Sequence, residues 1–206
     1  MLSVPLTKAP LSDSFLCRRK LMNPEIKLTV PLLRESVSAL KAGDRVLLSG
    51  RIIAARDAAH KRMLESLEKG EALPVSLSGE IIYYVGPTPA LPGRATGSAG
   101  PTTAGRMDIY TPRLLDLGLL GMIGKGDRSE AVIEAIQRNC AVYFAATGGA
   151  GALLARQIKR YTVLAYPELG PEAMAELIVE NFPLTVAIDS NAGNLYRSGP
   201  LLYAGK

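Results

Sequence analysis

Apolar and polar positions along the chain fall into short blocks whose period changes several times. Ile26–Val30 reads as a short strand, and Pro31–Leu40 as a helix with proline in its first turn. The apolar run RVLLSGRIIA (Arg45–Ala54) predicts a long buried strand or a bent pair of strands. Asp57–Lys69 follows as a helix, with Met63, Leu64 and Leu67 on one face. Gly79–Val85 is a strand by pattern, and Thr111–Leu117 a helix with Gly118 just past its end. Gly121–Ile123 predicts a short strand. Asp127–Arg138 predicts a helix, with Asp127 and Glu130 at capping-box spacing. Beyond it come a strand at Ala141–Ala146, a helix at Ala150–Gln157 and a strand at Thr162–Ala165. Pro171–Asn181 then reads as a helix and Leu184–Ile188 as a strand. A turn containing Gly193 leads to a last strand at Asn194–Arg197.

This order predicts an α/β fold. Its second half alternates strand and helix at the spacing of a parallel sheet. Ligands of open α/β sheets bind at the carboxyl ends of the strands. The loops at such ends are Ala55-Arg56-Asp57, Gly124-Lys125-Gly126, Thr147-Gly148-Gly149 and the turn after Ile188. The long segment GPTPALPGRATGSAGPTTAGR, residues 86–106, follows the Gly79–Val85 strand and joins the same set. Loops of that length are usually functional or disordered.

Composition narrows the class. A chain of 206 residues suits one domain, or one domain plus a tail. At 48% hydrophobic it can bury a core, and with eight Tyr, three Phe and no Trp that core rests on aliphatic residues, which suits α/β better than a sandwich. The net charge of +5 is dispersed, and the densest cluster is Arg18-Arg19-Lys20. No basic stripe with interleaved aromatics occurs, so the charge does not predict nucleic-acid binding. A positive site for a small dianion accounts for the excess equally well. Two cysteines, Cys17 and Cys140, make no disulfide framework and point to a reducing, cytoplasmic compartment. No apolar run reaches the ~18 residues that span a bilayer. Residues 1–21 carry basic residues after their only apolar stretch, the reverse of a secretory signal. They read as a loosely ordered extension before a domain over residues 22–206, with Met22 as an alternative start.

The polar residues at the strand ends each carry two readings. Arg56 stands before the helix that begins DAAHKR, beside free backbone N–H groups and a positive dipole end, which suits a carboxylate or phosphate. A surface arginine paired with a nearby acid fits as well. Asp57 reads as an N-cap. His60, the only histidine, rules out a His-rich metal site and reads as a helix-surface residue. Lys125 in GKG is either a solvated turn lysine or a ligand contact to which the flanking glycines give backbone access. No phosphate-binding P-loop pattern surrounds it. The stretch GPTTAGRMD, residues 100–108, offers Thr102, Thr103 and Arg106 within five residues. A threonine hydroxyl is a poor base unless a neighbouring cation stabilises its alkoxide-like form. Arg56, Arg106 and Lys125 together suffice for a dicarboxylate, because arginine binds carboxylate in bidentate fashion. A rival lies in AVYFAATGGAGALLA, a strand, Gly-rich turn and helix with Glu168 at the end of the next strand. Its spacing fails the dinucleotide pattern at Leu154, and close helix–strand packing is the better reason for those glycines.

Taken in order, ARDAAHKR (55–62), GPTTAGRMD (100–108), GKG (124–126), ATGGAGAL (146–153) and YPELGPEA (166–173) carry a family resemblance. Over roughly residues 24–200 the chain resembles the beta subunit of the two-subunit iron–sulfur (class I) fumarate hydratases. The same region is the C-terminal domain of the single-chain enzymes, and tartrate dehydratase beta subunits are close relatives. Residues 1–21 lie outside it. The resemblance implies a swivelling β/β/α domain packed on a separate alpha subunit, and reversible hydration of fumarate to (S)-malate. It implies a [4Fe–4S] cluster, held by that alpha subunit, with one open iron. Such a cluster needs three cysteine ligands, and this chain has two. By motif, Arg56 and Arg106 resemble the family's carboxylate-binding arginines, and Lys125 a lysine on the substrate. Thr102 and Thr103 resemble a pair of which one touches substrate and the other is the base; Thr103 is assigned as the base. Tartrate as substrate, a non-catalytic dicarboxylate-binding module, and a homodimer of the isolated chain through the surface meant for alpha stay open at this point.

Overall fold

The computed structural model of the protein describes residues 24–204. The predicted N-terminal extension, residues 1–21, and Met22 lie outside them. The described chain holds seven strands: β1 (Ile26–Thr29), β2 (Arg45–Ala54), β3 (Ile81–Tyr83), β4 (Gly121–Gly124), β5 (Val142–Ala145), β6 (Ile158–Ala165) and β7 (Met174–Ile188). Six helices accompany them: α1 (Arg34–Ser38), α2 (Asp57–Glu68), α3 (Thr111–Asp116), α4 (Glu130–Asn139), α5 (Gly151–Gln157) and α6 (Leu195–Tyr203).

Strands β1 to β5 pair in parallel, in sequence order. The long strand β7 then lies antiparallel to β5 and to β2, which closes β2, β3, β4, β5 and β7 into a five-strand mixed barrel. Strand β6 hangs on the outside as an antiparallel neighbour of β7, and β1 as a parallel neighbour of β2. The fold class is therefore α/β, as expected, but the purely parallel second half is not. Arg45–Ala54 is one bent strand whose register with β7 shifts between Leu48 and Gly50.

The largest departure is Pro171–Asn181. Instead of a helix, a 3-10 turn at Pro167–Glu172 leads into the fifteen residues of β7. Ala175, Leu177 and Val179 are buried while Glu176 and Ile178 are less so, a period of two. Helix-forming residues such as Glu and Leu yield here because both edges of the segment find partners, β2 on one side and β6 on the other. The expected last strand at Asn194–Arg197 is the start of α6. Asn194 caps it by accepting a hydrogen bond from the Tyr196 N–H at 2.9 Å, and a single bridge to Ile188 is all that remains of a strand. The Asp127 capping box also fails: α4 begins at Glu130, and the Asp127 carboxylate accepts from the Arg128 N–H at 2.8 Å. Helix α1 starts at Arg34 and is shorter than the predicted Pro31–Leu40.

Side chains that alternate along each strand build two cores. Val46, Leu48, Ile52, Tyr83, Ile123, Phe144, Leu177 and Phe182 fill the barrel, with Tyr83 and Phe182 edge to face at 5.4 Å. Ile53, Ile82, Tyr84, Met122 and Tyr143 face the other way, against Met63 of α2, Leu114 and Leu115 of α3, and Val132, Ile133 and Ile136 of α4. No helix among the described residues is long and apolar enough to cross a membrane.

Candidate active site

The carboxyl ends of β2, β3 and β4 meet on one side of the barrel, and each sends out one polar loop. The Ala55 N–H donates to Tyr83 O at 3.1 Å, which carries the pairing of β2 and β3 up to the loops. Arg56 follows in an extended conformation and α2 begins at Asp57, so Arg56, not Asp57, occupies the cap position. The loop after β3 leaves through Gly86 and returns at Thr102. The returning backbone joins both strand ends. Thr102 N–H donates to Tyr84 O at 2.7 Å, Lys125 N–H to Thr102 O at 3.2 Å, and Ala104 N–H to Lys125 O at 2.8 Å. Thr103 and Lys125 thus sit side by side in a parallel bridge. A 3-10 turn over Ala104–Met107 then carries Arg106 towards α2.

All five residues singled out from the sequence lie on this patch. Arg106 Nε donates to Asp57 Oδ1 at 2.7 Å, and its Nη2 reaches Asp57 Oδ2, a bidentate pair. Arg56 Nε donates to the same Asp57 Oδ2 at 3.2 Å, and its Nη2 pairs with Glu172 Oε1 at 2.8 Å. The other oxygen of Glu172 accepts from the Ala58 N–H at 2.9 Å. The helix start that the sequence offered to an external anion is thus filled by the chain's own carboxylate. Gly86 makes room for this arrangement: a methyl group there would lie 2.9 Å from Arg56 Nη1 and 3.1 Å from Pro171 O. Thr103, Arg106 and Lys125 are exposed, while Thr102, Arg56 and Asp57 are half-buried. Lys125 has no ion pair among the described residues.

Electrostatics follow from these pairs. Burial pushes the Asp57 carboxyl up, but hydrogen bonds from Arg106, its own backbone and Arg56 outweigh that and hold it below its ordinary value. His60, expected on the helix surface, is fully buried beneath the loop. Its Nδ1 meets Arg56 O at 3.0 Å, its ring stands edge-on to Tyr84 at 5.3 Å, and Nε2 has no partner. Burial, with the nearby Arg128 charge, lowers its pKa to about 4, so it is neutral at pH 7.

Beneath the threonine loop lies a buried ion pair that local pattern did not suggest. Arg128 Nε donates to Asp108 Oδ1 at 2.7 Å and Nη2 to Thr111 Oγ1 at 2.9 Å. Its guanidinium lies over the rings of Tyr84 at 5.4 Å and Tyr143 at 4.9 Å. Asp108 also accepts from the Ser129 N–H at 2.6 Å. The end of GPTTAGRMD is thereby tied to the start of α4.

Of the other sequence candidates, the turn at Gly148 adjoins Lys125, whose Cδ would lie 3.7 Å from a Cβ there, and the rest fall elsewhere. Because β7 runs antiparallel, Ile188 pairs with Tyr143. The turn after Ile188 therefore leaves the barrel from the opposite end of β5 to Thr147. Its Asp189 satisfies the N–H groups of Ala42, Asn191 and Gly193. The Gly-rich turn after β5 makes a close helix–loop approach, where helix–strand packing was expected. A Cβ on Gly151 would fall 2.4 Å from Ser98 Oγ and 2.9 Å from Gly100 N. Glu168 sits in a 3-10 turn, exposed, and pairs with Arg62 at 2.9 Å. Among the described residues no group of three or more His, Cys, Asp or Glu is placed to hold a metal ion. Cys140 is the one described cysteine, so the described residues do not fit a cluster that needs three thiolates.

Cations and hydroxyls thus stand at three adjacent strand ends of a mixed barrel, on one open polar face. The chain belongs to the family described as Fumarase C-terminus, which matches residues 5–199. It is 39% identical to fumarate hydratase 2 of Leishmania major over 174 residues, 84% of this chain and 31% of that protein. It is likewise 39% identical to the aerobic class I fumarate hydratase of Salmonella typhimurium, covering 79% of this chain and 28% of the relative. With a putative L(+)-tartrate dehydratase subunit beta of Methanocaldococcus jannaschii it shares 40% identity over 171 residues, 80% of this chain and 88% of that one. The chain thus spans about a third of the fumarate hydratases it matches and most of the tartrate dehydratase subunit.

Sequence reasoning missed the acids Asp57, Glu172 and Asp108 as partners of Arg106, Arg56 and Arg128. ARDAAHKR, YPELGPEA and GPTTAGRMD contained them, but their partners lie as far away as the 116 positions between Arg56 and Glu172.

Proposed function

We propose that this chain is the beta subunit of a class I-type hydro-lyase that reversibly hydrates fumarate to (S)-malate. The observation that carries the reading is the convergence of Arg56, Arg106, Lys125, Thr102 and Thr103 on one exposed face, in a chain of the fumarase C-terminal family. In this reading the face swivels, as part of a β/β/α domain, against an alpha subunit that holds the [4Fe–4S] cluster and completes the site in the cytoplasm. Arg56 and Arg106 bind the substrate carboxylates and Lys125 adds a third cation. Thr103 takes the proton from the carbon next to a carboxylate, with Thr102 as the second hydroxyl on the substrate. The flanking cations stabilise the charge that develops on that carboxylate. The proton for the departing hydroxide comes from the alpha subunit.

The charge of the patch supports a shared site. Arg56, Arg106 and Lys125 bring three formal positive charges, but Asp57 and Glu172 return two negative ones. One net positive charge, in the open, is poor compensation for a dianion. This argues against a self-sufficient dicarboxylate-binding module. The tartrate reading keeps a specific support: the relative whose length this chain nearly matches is named as a tartrate dehydratase subunit.

The test is anaerobic reconstitution with an alpha subunit encoded beside it, followed by absorbance assays with malate, fumarate and tartrate. Turnover of malate and fumarate supports the proposal. Turnover of tartrate alone keeps the chemistry and replaces the substrate. No turnover with any of them sinks the hydro-lyase reading. In the active pair, Thr103→Val lowers kcat by about a hundredfold or more with little change in KM. If Thr102→Val does so and Thr103→Val does not, the base is Thr102.

A further inference from the structure

We propose that Asp57 and Glu172 are positioning residues that hold the two arginines as a preset pair for substrate. This rests on the reading of Arg56 and Arg106 as carboxylate-binding residues. Arginine side chains at an exposed site carry several rotatable bonds, and ordering them on ligand binding opposes affinity. Here that ordering is already done. Asp57 takes Nε and Nη2 of Arg106, which leaves Nη1 of that side chain free of these acids. Asp57 and Glu172 take Nε and Nη2 of Arg56 and likewise leave its Nη1, the nitrogen lying against Gly86. Asp57 is the shared element, since its two oxygens link both guanidiniums.

Asp57 is itself held. It opens α2, whose next amide, Ala58 N–H, is bound by Glu172 across 114 positions of sequence. Glu172 therefore fixes both the helix start that carries Asp57 and the guanidinium beside it. A direct competitor role, in which Asp57 blocks Arg106 until substrate displaces it, makes the opposite prediction for substrate affinity.

Asp57→Asn and Glu172→Gln keep shape and remove charge. Two measurements separate the outcomes. In the reconstituted enzyme, Asp57→Asn raises KM by about tenfold to a hundredfold, the size expected when a binding group is misplaced by about an ångström. kcat falls less, and Asp57→Glu restores part of the loss. An unchanged or lowered KM, in an active wild-type control, overturns the proposal, and a lowered one favours the competitor role. In the isolated chain, the Nε–H signals of both arginines in nitrogen-edited NMR are slow to exchange with water. Asp57→Asn speeds both, and Glu172→Gln speeds Arg56 more than Arg106. Fast exchange of both in the wild-type chain refutes the preset pair whatever the assay shows. If the wild-type complex turns over none of the three substrates, the hydro-lyase reading fails on its own. The exchange rates then still decide whether the pair is preset.

Discussion

At the scale of single residues, the site is a set of charges whose partners come from far along the chain. Arg56 and Arg106 are legible as cations in a loop, but their behaviour depends on Asp57 and Glu172. His60 shows the same dependence in reverse. Its position four residues after Arg56 suggested a solvent face, yet α2 turns Ala59, His60 and Met63 inward. A histidine buried in its neutral form makes stability depend on pH in a definite direction. Its folded pKa of about 4 lies below the ordinary 6.5. Between those values the unfolded chain binds the proton and the folded chain does not. Stability is therefore full above pH 6.5, falls as pH drops towards 4, and loses about 3 kcal/mol over that window at 1.36 kcal/mol per pKa unit. Urea titrations at several pH values, wild type against His60→Asn, measure this. The variant keeps a donor for Arg56 O and has no titrating ring, so its curve is flatter through the window. Parallel curves would show that His60 is not the titrating group.

At the scale of elements, β7 decides the architecture. Its first half pairs with β6 and the end of β2, and its second half with β5 and the start of β2. Phe182, in the middle, is fully buried against Tyr83 inside the barrel. Tyr83 in turn donates from its hydroxyl to Ala99 O at 2.6 Å, in the loop that leads to Thr102. Phe182→Ala therefore lowers stability by about 3–5 kcal/mol, and denaturant unfolding measures it. A loss under 1 kcal/mol would mean that the barrel interior collapses onto the gap. The strands β2 to β5 and helices α2 to α5 were readable from periodicity to within a few residues, because each matches its pattern locally. The end of β7, Leu184–Ile188, was readable too, but its first half was not, because AMAELIVE satisfies a helical spacing as well as a two-residue one. Only the availability of two strand partners settles which prevails.

At the scale of the molecule, closure of the barrel sets β2, β3 and β4 side by side with all three carboxyl ends at one rim. That rim is where the motifs meet. The face is open and carries only one net positive charge, which has a measurable consequence for the chain by itself. Calorimetric titration of the isolated chain with malate or tartrate gives binding weaker than about 1 mM, where the full free energy is only about 4 kcal/mol. Micromolar binding without an alpha subunit would revive the stand-alone module.

Local pattern was enough to locate strands β2 to β5, the loops that follow them, and the cations and hydroxyls those loops carry. These are local properties, written in hydrophobic period, in Gly and Pro punctuation and in five short motifs. Tertiary structure alone decided that the first half of β7 is a strand, that His60 is buried, and that Arg128 lies under the threonine loop. It also decided that Arg56 and Arg106 share Asp57, with Glu172 behind them. The physical reason is the same in each case. A side chain's burial and its ion-pair partner depend on which distant segment packs beside it, and barrel closure supplies that segment.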